Sequence, residues 1–342
     1  MGVPTWRSRV LLVGLTLLFI LSSATAQETI KLKVADVLPS THFVSTNGIR
    51  YFMDRVSKET GGRVTFEYYP GEQLGQARDM LKLTQSGVID IGFVVPSLVT
   101  EKMPLSGVVE LPGLYSESCP GTTAYAKLTR SGVIAQSDYK ANGVVSVFAY
   151  VNAPYQVVLA RKPLASLADL AGLKLRSVAG PQEALVHALK AVSVRMAAPN
   201  IYESLSRGTL DGILFPATQV LAYDLQGLTK YATTGENFGT TSVSYLMSEK
   251  RWAALPADIR EIMSRIGDDT SRNLCRFIDS DTVESERKMQ AAGVKFVRFS
   301  VEDKRALNEL FGQVQKDWTA ALERRNIPAN AAIEQFHAAF KQ

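Results

Sequence analysis

The chain has 342 residues, 46% of them hydrophobic and 21% charged, with a formal charge of +5. Lys and Arg are interspersed with acids along the chain, which excludes the basic stripe of a nucleic-acid binder. Just over three hundred residues remain after the expected leader is set aside, more than one core usually organises, so two domains are expected.

Residues 1–26 read as an export signal. Arg7 and Arg9 precede an apolar run from Val10 to Leu21, and Ala24-Thr25-Ala26 supplies a small-x-small cleavage pattern, so the mature chain starts at Gln27. The run is shorter than the roughly 20 residues a spanning helix needs, and Gln27 offers no thiol for lipid attachment. The product is expected to be soluble and periplasmic. Removing the segment takes away two arginines and no acids, which lowers the formal charge to +3. Cys119 and Cys275 lie more than 150 residues apart, so one bridge and two separate thiols both stay open at this level.

The mature chain alternates strands and helices. A strand is expected over 30–37, and Ile49, Phe52, Met53 and Val56 then recur at helical spacing until Gly61-Gly62. Val64, Phe66 and Tyr68 alternate with polar residues as in a half-buried strand. A helix over 77–86 stops at Gly87, and 89–95 reads as a strand buried on both faces. This βαβ rhythm argues for a mostly parallel sheet that presents ligands at the carboxyl ends of its strands. In the second half, strands are expected over 144–151, 155–160, 173–177 and 210–214, with helices over 182–191 and 200–207. After Pro256, the stripe Ile259, Ile262, Met263, Ile266 opens one long helix over 257–292, or two abutting ones, with Gly267 as the only breaker before Gly293. A strand over 294–299 follows. No flexible linker is visible, so the chain crosses between domains inside strands, which favours a hinge.

Catalytic patterns are missing. The sequence holds no G-x-S-x-G elbow, phosphate loop, dinucleotide fingerprint or C-x-x-C, and no cofactor is expected. None of His42, His187 and His337 has a second histidine or a cysteine at metal-ligand spacing. His42 is retained as a site candidate because it follows the first strand, where a parallel sheet faces its cleft. Asp279-Ser280-Asp281 starts like a calcium loop but lacks the glycine and the terminal glutamate, and reads as a solvated helix face.

Several stretches together resemble a known family. They are Gly71-Glu72-Gln73-Leu74-Gly75, Arg78 to Leu81, Ile89-Asp90-Ile91-Gly92, Leu111-Pro112, the run Leu167 to Arg176, and Tyr202-Glu203-Ser204-Leu205 leading to Gly208-Thr209-Leu210-Asp211-Gly212. In order and interval they resemble the substrate-binding component of tripartite ATP-independent periplasmic (TRAP) transporters, over essentially all of the mature chain. The resemblance implies an α/β, two-lobed periplasmic binding protein fold with mixed, mostly parallel sheets, strand hinges and a long helix spanning both lobes. We assign 27–152 with 241–280 to lobe I and 153–240 with 281–342 to lobe II. The implied activity is non-enzymatic: an organic acid is captured as the lobes close and is delivered to an integral membrane permease.

The resemblance also assigns site residues. The arginine of its Gly-Leu-Lys-Leu-Arg run, which grips the ligand carboxylate, is Arg176 here. A guanidinium suits that task because its planar fork matches a carboxylate and its charge survives burial, each charge-assisted bond contributing roughly 1.5–3 kcal/mol. Counted by intervals, other cleft positions fall on Ala77, Val95, Gln156 and Phe215, with Gln156 where a second arginine is frequent and Phe215 where an asparagine is. Tyr155 is an aromatic candidate, Phe93 is another that reads more readily as a core residue on its buried strand, and Gln73 and His42 complete the set. Such a pocket favours an apolar or aromatic monocarboxylate, a 2-oxo or 2-hydroxy acid. The competing readings are a C4-dicarboxylate binder, a binding protein for another importer or a sensor, and an exported hydrolase.

Overall fold

The computed structural model describes residue 2 and residues 29–340. Gly2 apart, the expected export segment therefore lies outside the described residues. Two sheets organise the chain. The first contains β1 (Ile30–Ala35), β2 (Val64–Tyr69), β3 (Ile91–Val94), β4 (Val144–Val151) and β10 (Ser242–Ser248), in the order β2-β1-β3-β10-β4. The second contains β5 (Gln156–Leu159), β6 (Lys174–Ser177), β7 (Val192–Arg195), β8 (Gly212–Phe215), β9 (Tyr231–Thr233) and β11 (Lys295–Val297), in the order β11-β9-β5-β8-β6-β7.

Both sheets are mixed, and the strands that cross between them cause it. β10 runs antiparallel to β3 and β4, and β5 runs antiparallel to β8 and β9, whereas β1, β2, β3 and β6, β7, β8 pair in parallel. The chain leaves the first sheet at β4 and enters the second at β5, then returns from β9 to β10. At the return, Gly239 has φ of +85°, and a Cβ there would lie 2.6 Å from the Glu110 carbonyl oxygen, so only glycine fits.

β10 is a central strand that the sequence expectations omit, although Val243, Tyr245 and Met247 recur in it at a two-residue period. Ser242, Ser244 and Ser248 are buried in it, with Ser242 bonding the Glu110 carboxylate and Ser244 meeting the Tyr139 hydroxyl. Hydrogen bonds let a polar-looking segment sit in a core. The helix expected over 182–191 is shorter, Pro181–Ala188, because Lys190 takes a left-handed backbone (φ 58°) and turns the chain into the edge strand β7. The segment expected as a helix over 77–86 is a 3₁₀ turn, Ala77–Asp79, followed by the helix Met80–Gln85.

A 35-residue helix, Ala257–Ala291, ties the halves together. Ile259, Met263, Ile266, Leu274 and Ile278 enter the first core and Met289 the second. Gly267 is no breaker. A Cβ there would come 2.1 Å from the Val147 carbonyl oxygen, so its absence lets the helix lie directly on β4. Cys275 of this helix is bridged to Cys119, with their Cα atoms 4.8 Å apart, which settles the alternative that spacing left open. One turn further on, the Asp279 carboxylate accepts the backbone N–H groups of Ser118 (2.6 Å) and Cys119 (3.0 Å), capping the helix Ser118–Leu128. Asp279 is thus a cap as well as part of a solvated face. The helix Val301–Glu323 gives Leu307, Phe311 and Val314 to the second core and Trp318 and Leu322 to the first, where the helix Ala329–Phe340 also packs through Ala332 and Phe336. The packing of this last helix differs from the lobe II assignment made for 281–342. No helix among the described residues is long and apolar enough to cross a membrane.

Candidate functional site

A cleft opens where the carboxyl ends of the parallel strands of both sheets face each other, the location such sheets favour. Val37 and Leu38 after β1, Phe93 and Val95 at the end of β3, Tyr150 and Asn152 at the end of β4, and Val243 of β10 supply one wall. The other wall comes from Arg176 and Val178 at the end of β6, Ala197 to Pro199 after β7, Phe215 of β8, and Gln219 and Tyr223 beyond it.

Arg176 is the single charged residue among those lining the cleft. It is 3% exposed; its Nε donates to the Met196 carbonyl (3.1 Å), and its Nη1 is buried without a hydrogen-bond partner. Among the described residues no carboxylate forms an ion pair with it, whereas Arg55, Arg63, Arg130, Arg251 and Arg265 are all paired. Its guanidinium carbon stands 5.5 Å from the centre of the Phe215 ring, a cation–π contact. Burial lowers the pKa of Arg176 from its ordinary value. A guanidinium nevertheless keeps its proton under physiological conditions, so a positive charge is held here in an apolar frame.

Aromatic rings frame that charge. Phe215 packs edge-on to Tyr155 and beside Tyr223, both at 5.8 Å between centres, and the Tyr155 hydroxyl donates to Thr241 Oγ1 (2.7 Å). Opposite, Phe93 meets the Tyr245 ring edge-on at 5.4 Å. Asp36, fully buried at the end of β1, accepts from the Tyr245 hydroxyl (2.8 Å), the Tyr68 hydroxyl (3.1 Å) and the Leu38 N–H (2.9 Å). Burial raises its pKa to about 6, while the three hydrogen bonds it accepts favour the carboxylate form.

The site residues expected from sequence divide clearly. Arg176, Phe215, Tyr155, Val95 and Ala77 come together in the cleft, and Phe93, which reads more readily as core, lines it too. Gln156 does not. Its Nε2 donates to the Glu236 carbonyl (2.5 Å) and its Oε1 accepts from Thr233 (2.8 Å), which commits the amide to the 233–237 segment and a separate hollow. Counting intervals located its backbone; the β9 neighbours set the direction of its side chain. Gln73 is exposed and outside the cleft lining. His42 is buried one layer behind: its Nδ1 accepts the Val44 N–H (3.1 Å), so Nε2 carries the proton and donates to Gln219 Oε1 (3.0 Å). Burial lowers its pKa to about 4, which keeps it neutral. Gln219 in turn donates to Asn152 Oδ1 (2.9 Å), and this chain of hydrogen bonds joins the two walls.

Sequence reasoning did not single out Tyr150, Asn152, Gln219, Tyr223 or Thr241. Tyr150 and Asn152 were within reach, since they close an expected strand whose carboxyl end faces the cleft. Gln219 and Thr241 carry no local signal.

Comparison with known proteins agrees with this architecture. Residues 34–321 match the family model of the bacterial extracellular solute-binding protein, family 7. The C4-dicarboxylate-binding periplasmic protein DctP of Rhodobacter capsulatus is 26% identical over 328 residues, 93% of this chain and 95% of that protein. Among solved structures, a TRAP solute-binding protein from Rhodoferax ferrireducens with copurified benzoate superposes with a TM-score of 0.84 at 24% identity, covering 92% of this chain and 98% of its own. One from Bordetella bronchiseptica with bound (R)- and (S)-mandelate gives 0.83 at 22% identity, covering 92% and 99%. With the family model spanning both sheets and the cleft between them, the chain belongs to the bacterial extracellular solute-binding protein family 7.

Proposed function

We propose that this protein is exported by its N-terminal signal to the periplasm, captures an apolar or aromatic monocarboxylate in the cleft, and delivers it to a TRAP-type membrane permease without chemical turnover. The observation that carries the reading is Arg176: a buried guanidinium with a free donor, no acidic partner, and apolar and aromatic neighbours. Unpaired buried charge is costly, so a site of this kind is completed by an anion from outside. The two structural neighbours described above hold benzoate and mandelate, acids of the proposed class.

The Rhodobacter relative, named for C4-dicarboxylates, favours a second reading. The cleft speaks against it here. Among the described residues no second cation lines it, and His42 is neutral. An aromatic acid instead buries its ring at about 25 cal/mol per Å² of apolar surface.

Calorimetric titration of benzoate, mandelate, phenylpyruvate, 2-oxoisocaproate and succinate tests the assignment. Binding of any of the monocarboxylates more tightly than succinate is expected, with Arg176→Lys weakening it roughly 10- to 100-fold through loss of the fork. Tighter binding of succinate, or wild-type affinity in Arg176→Lys, overturns it.

A further inference from the structure

The cleft holds a second donor that the protein leaves unused. Tyr150, at the end of β4, is 1% exposed and pairs in register with Val243, which lines the cleft beside it. Its hydroxyl makes no hydrogen bond among the described residues. Other buried phenols are engaged: Tyr155 with Thr241, Tyr245 with Asp36, and Tyr125 with Tyr139. A phenol that lines a cleft and is paired with nothing in the protein has its donor available to a ligand atom. Burial next to the Asp36 charge keeps this phenol protonated and therefore a donor. Tyr150 also stands on the wall opposite Arg176, so one molecule engaging both would contact both lobes.

Building on the carboxylate reading above, we propose that the Tyr150 hydroxyl donates to a second oxygen of the ligand, a hydroxyl or oxo group, and makes the site selective for oxygenated acids over their deoxy counterparts. A site built to hydrogen-bond such an oxygen rejects the analogue lacking it, because its own donor is then left unpaired. Tyr150→Phe removes only that donor. It breaks no hydrogen bond within the protein, so the variant is expected to fold with the wild-type melting temperature.

The test is calorimetry on wild type and Tyr150→Phe with two matched pairs, mandelate against phenylacetate and 2-hydroxyisocaproate against isocaproate. The wild type is expected to prefer the hydroxy acid in at least one pair. In Tyr150→Phe that preference falls about tenfold while affinity for the deoxy acid is unchanged. Equal weakening of both members, an unchanged ratio, or a wild-type preference for the deoxy acids overturns the inference and leaves the carboxylate reading standing. Failure of the wild type to bind any of the four acids overturns both.

Discussion

The cleft and the junction between the Ser118–Leu128 helix and the long helix treat buried polar groups in opposite ways. At the junction, Cys119 is bonded to Cys275 and Asp279 accepts the two backbone N–H groups at the helix start. The Ser118 hydroxyl donates to the Val151 carbonyl at 2.6 Å. In the cleft, Arg176 Nη1 is buried among apolar and aromatic side chains without a partner. Each unpaired buried group costs about 1–3 kcal/mol, so the junction is arranged for stability and the cleft is arranged at its expense.

The largest effect separating the two regions is expected from the disulfide. Its cysteines are 156 residues apart, and replacing both with alanine is expected to lower stability by about 5 kcal/mol in the chain-entropy account while ligand affinity is retained. Urea denaturation alongside calorimetry checks this; an unchanged midpoint, or affinity lost in parallel with stability, breaks the separation. Arg176→Met should do the reverse. Exchanging an unpaired buried charge for an apolar chain is expected to raise the melting temperature of the ligand-free protein, by about 2 kcal/mol in stability, and to abolish acid binding. A lower melting temperature would identify Arg176 as a structural residue. The smallest effect belongs to the helix cap: Asp279→Ala is expected to cost about 1 kcal/mol and to leave binding unchanged, read by the same two measurements.

Legibility in the sequence followed how local each signal was. The long helix was readable over 257–292 because Ile259, Met263 and Ile266 form one stripe, and β4 because eight consecutive residues suit a buried strand. β10 was not among the expected strands despite the alternation of Val243, Tyr245 and Met247, and partners that let its serines lie buried, Glu110, Tyr125 and Tyr139, are far away in the chain. β7 was hidden by Lys190, a residue type that gives no notice of a left-handed turn. Within the candidate site, Arg176 and Phe215 were found by motif and interval. The same interval count reaches Gln156, whose amide is directed by Thr233 and Glu236 away from the cleft lining.

Taken alone, the sequence determined the alternation of strands and helices, the α/β class, the family resemblance and the residue type suited to hold a carboxylate. These rest on period, composition and motif, which are properties of neighbouring residues. Tertiary structure alone decided the closing of Cys119 onto Cys275, the antiparallel insertion of β10, the sharing of the last two helices between cores, and the choice of polar groups left unpaired in the cleft. Burial and hydrogen bonding are settled between segments that meet only when the chain has folded, and no local pattern records them.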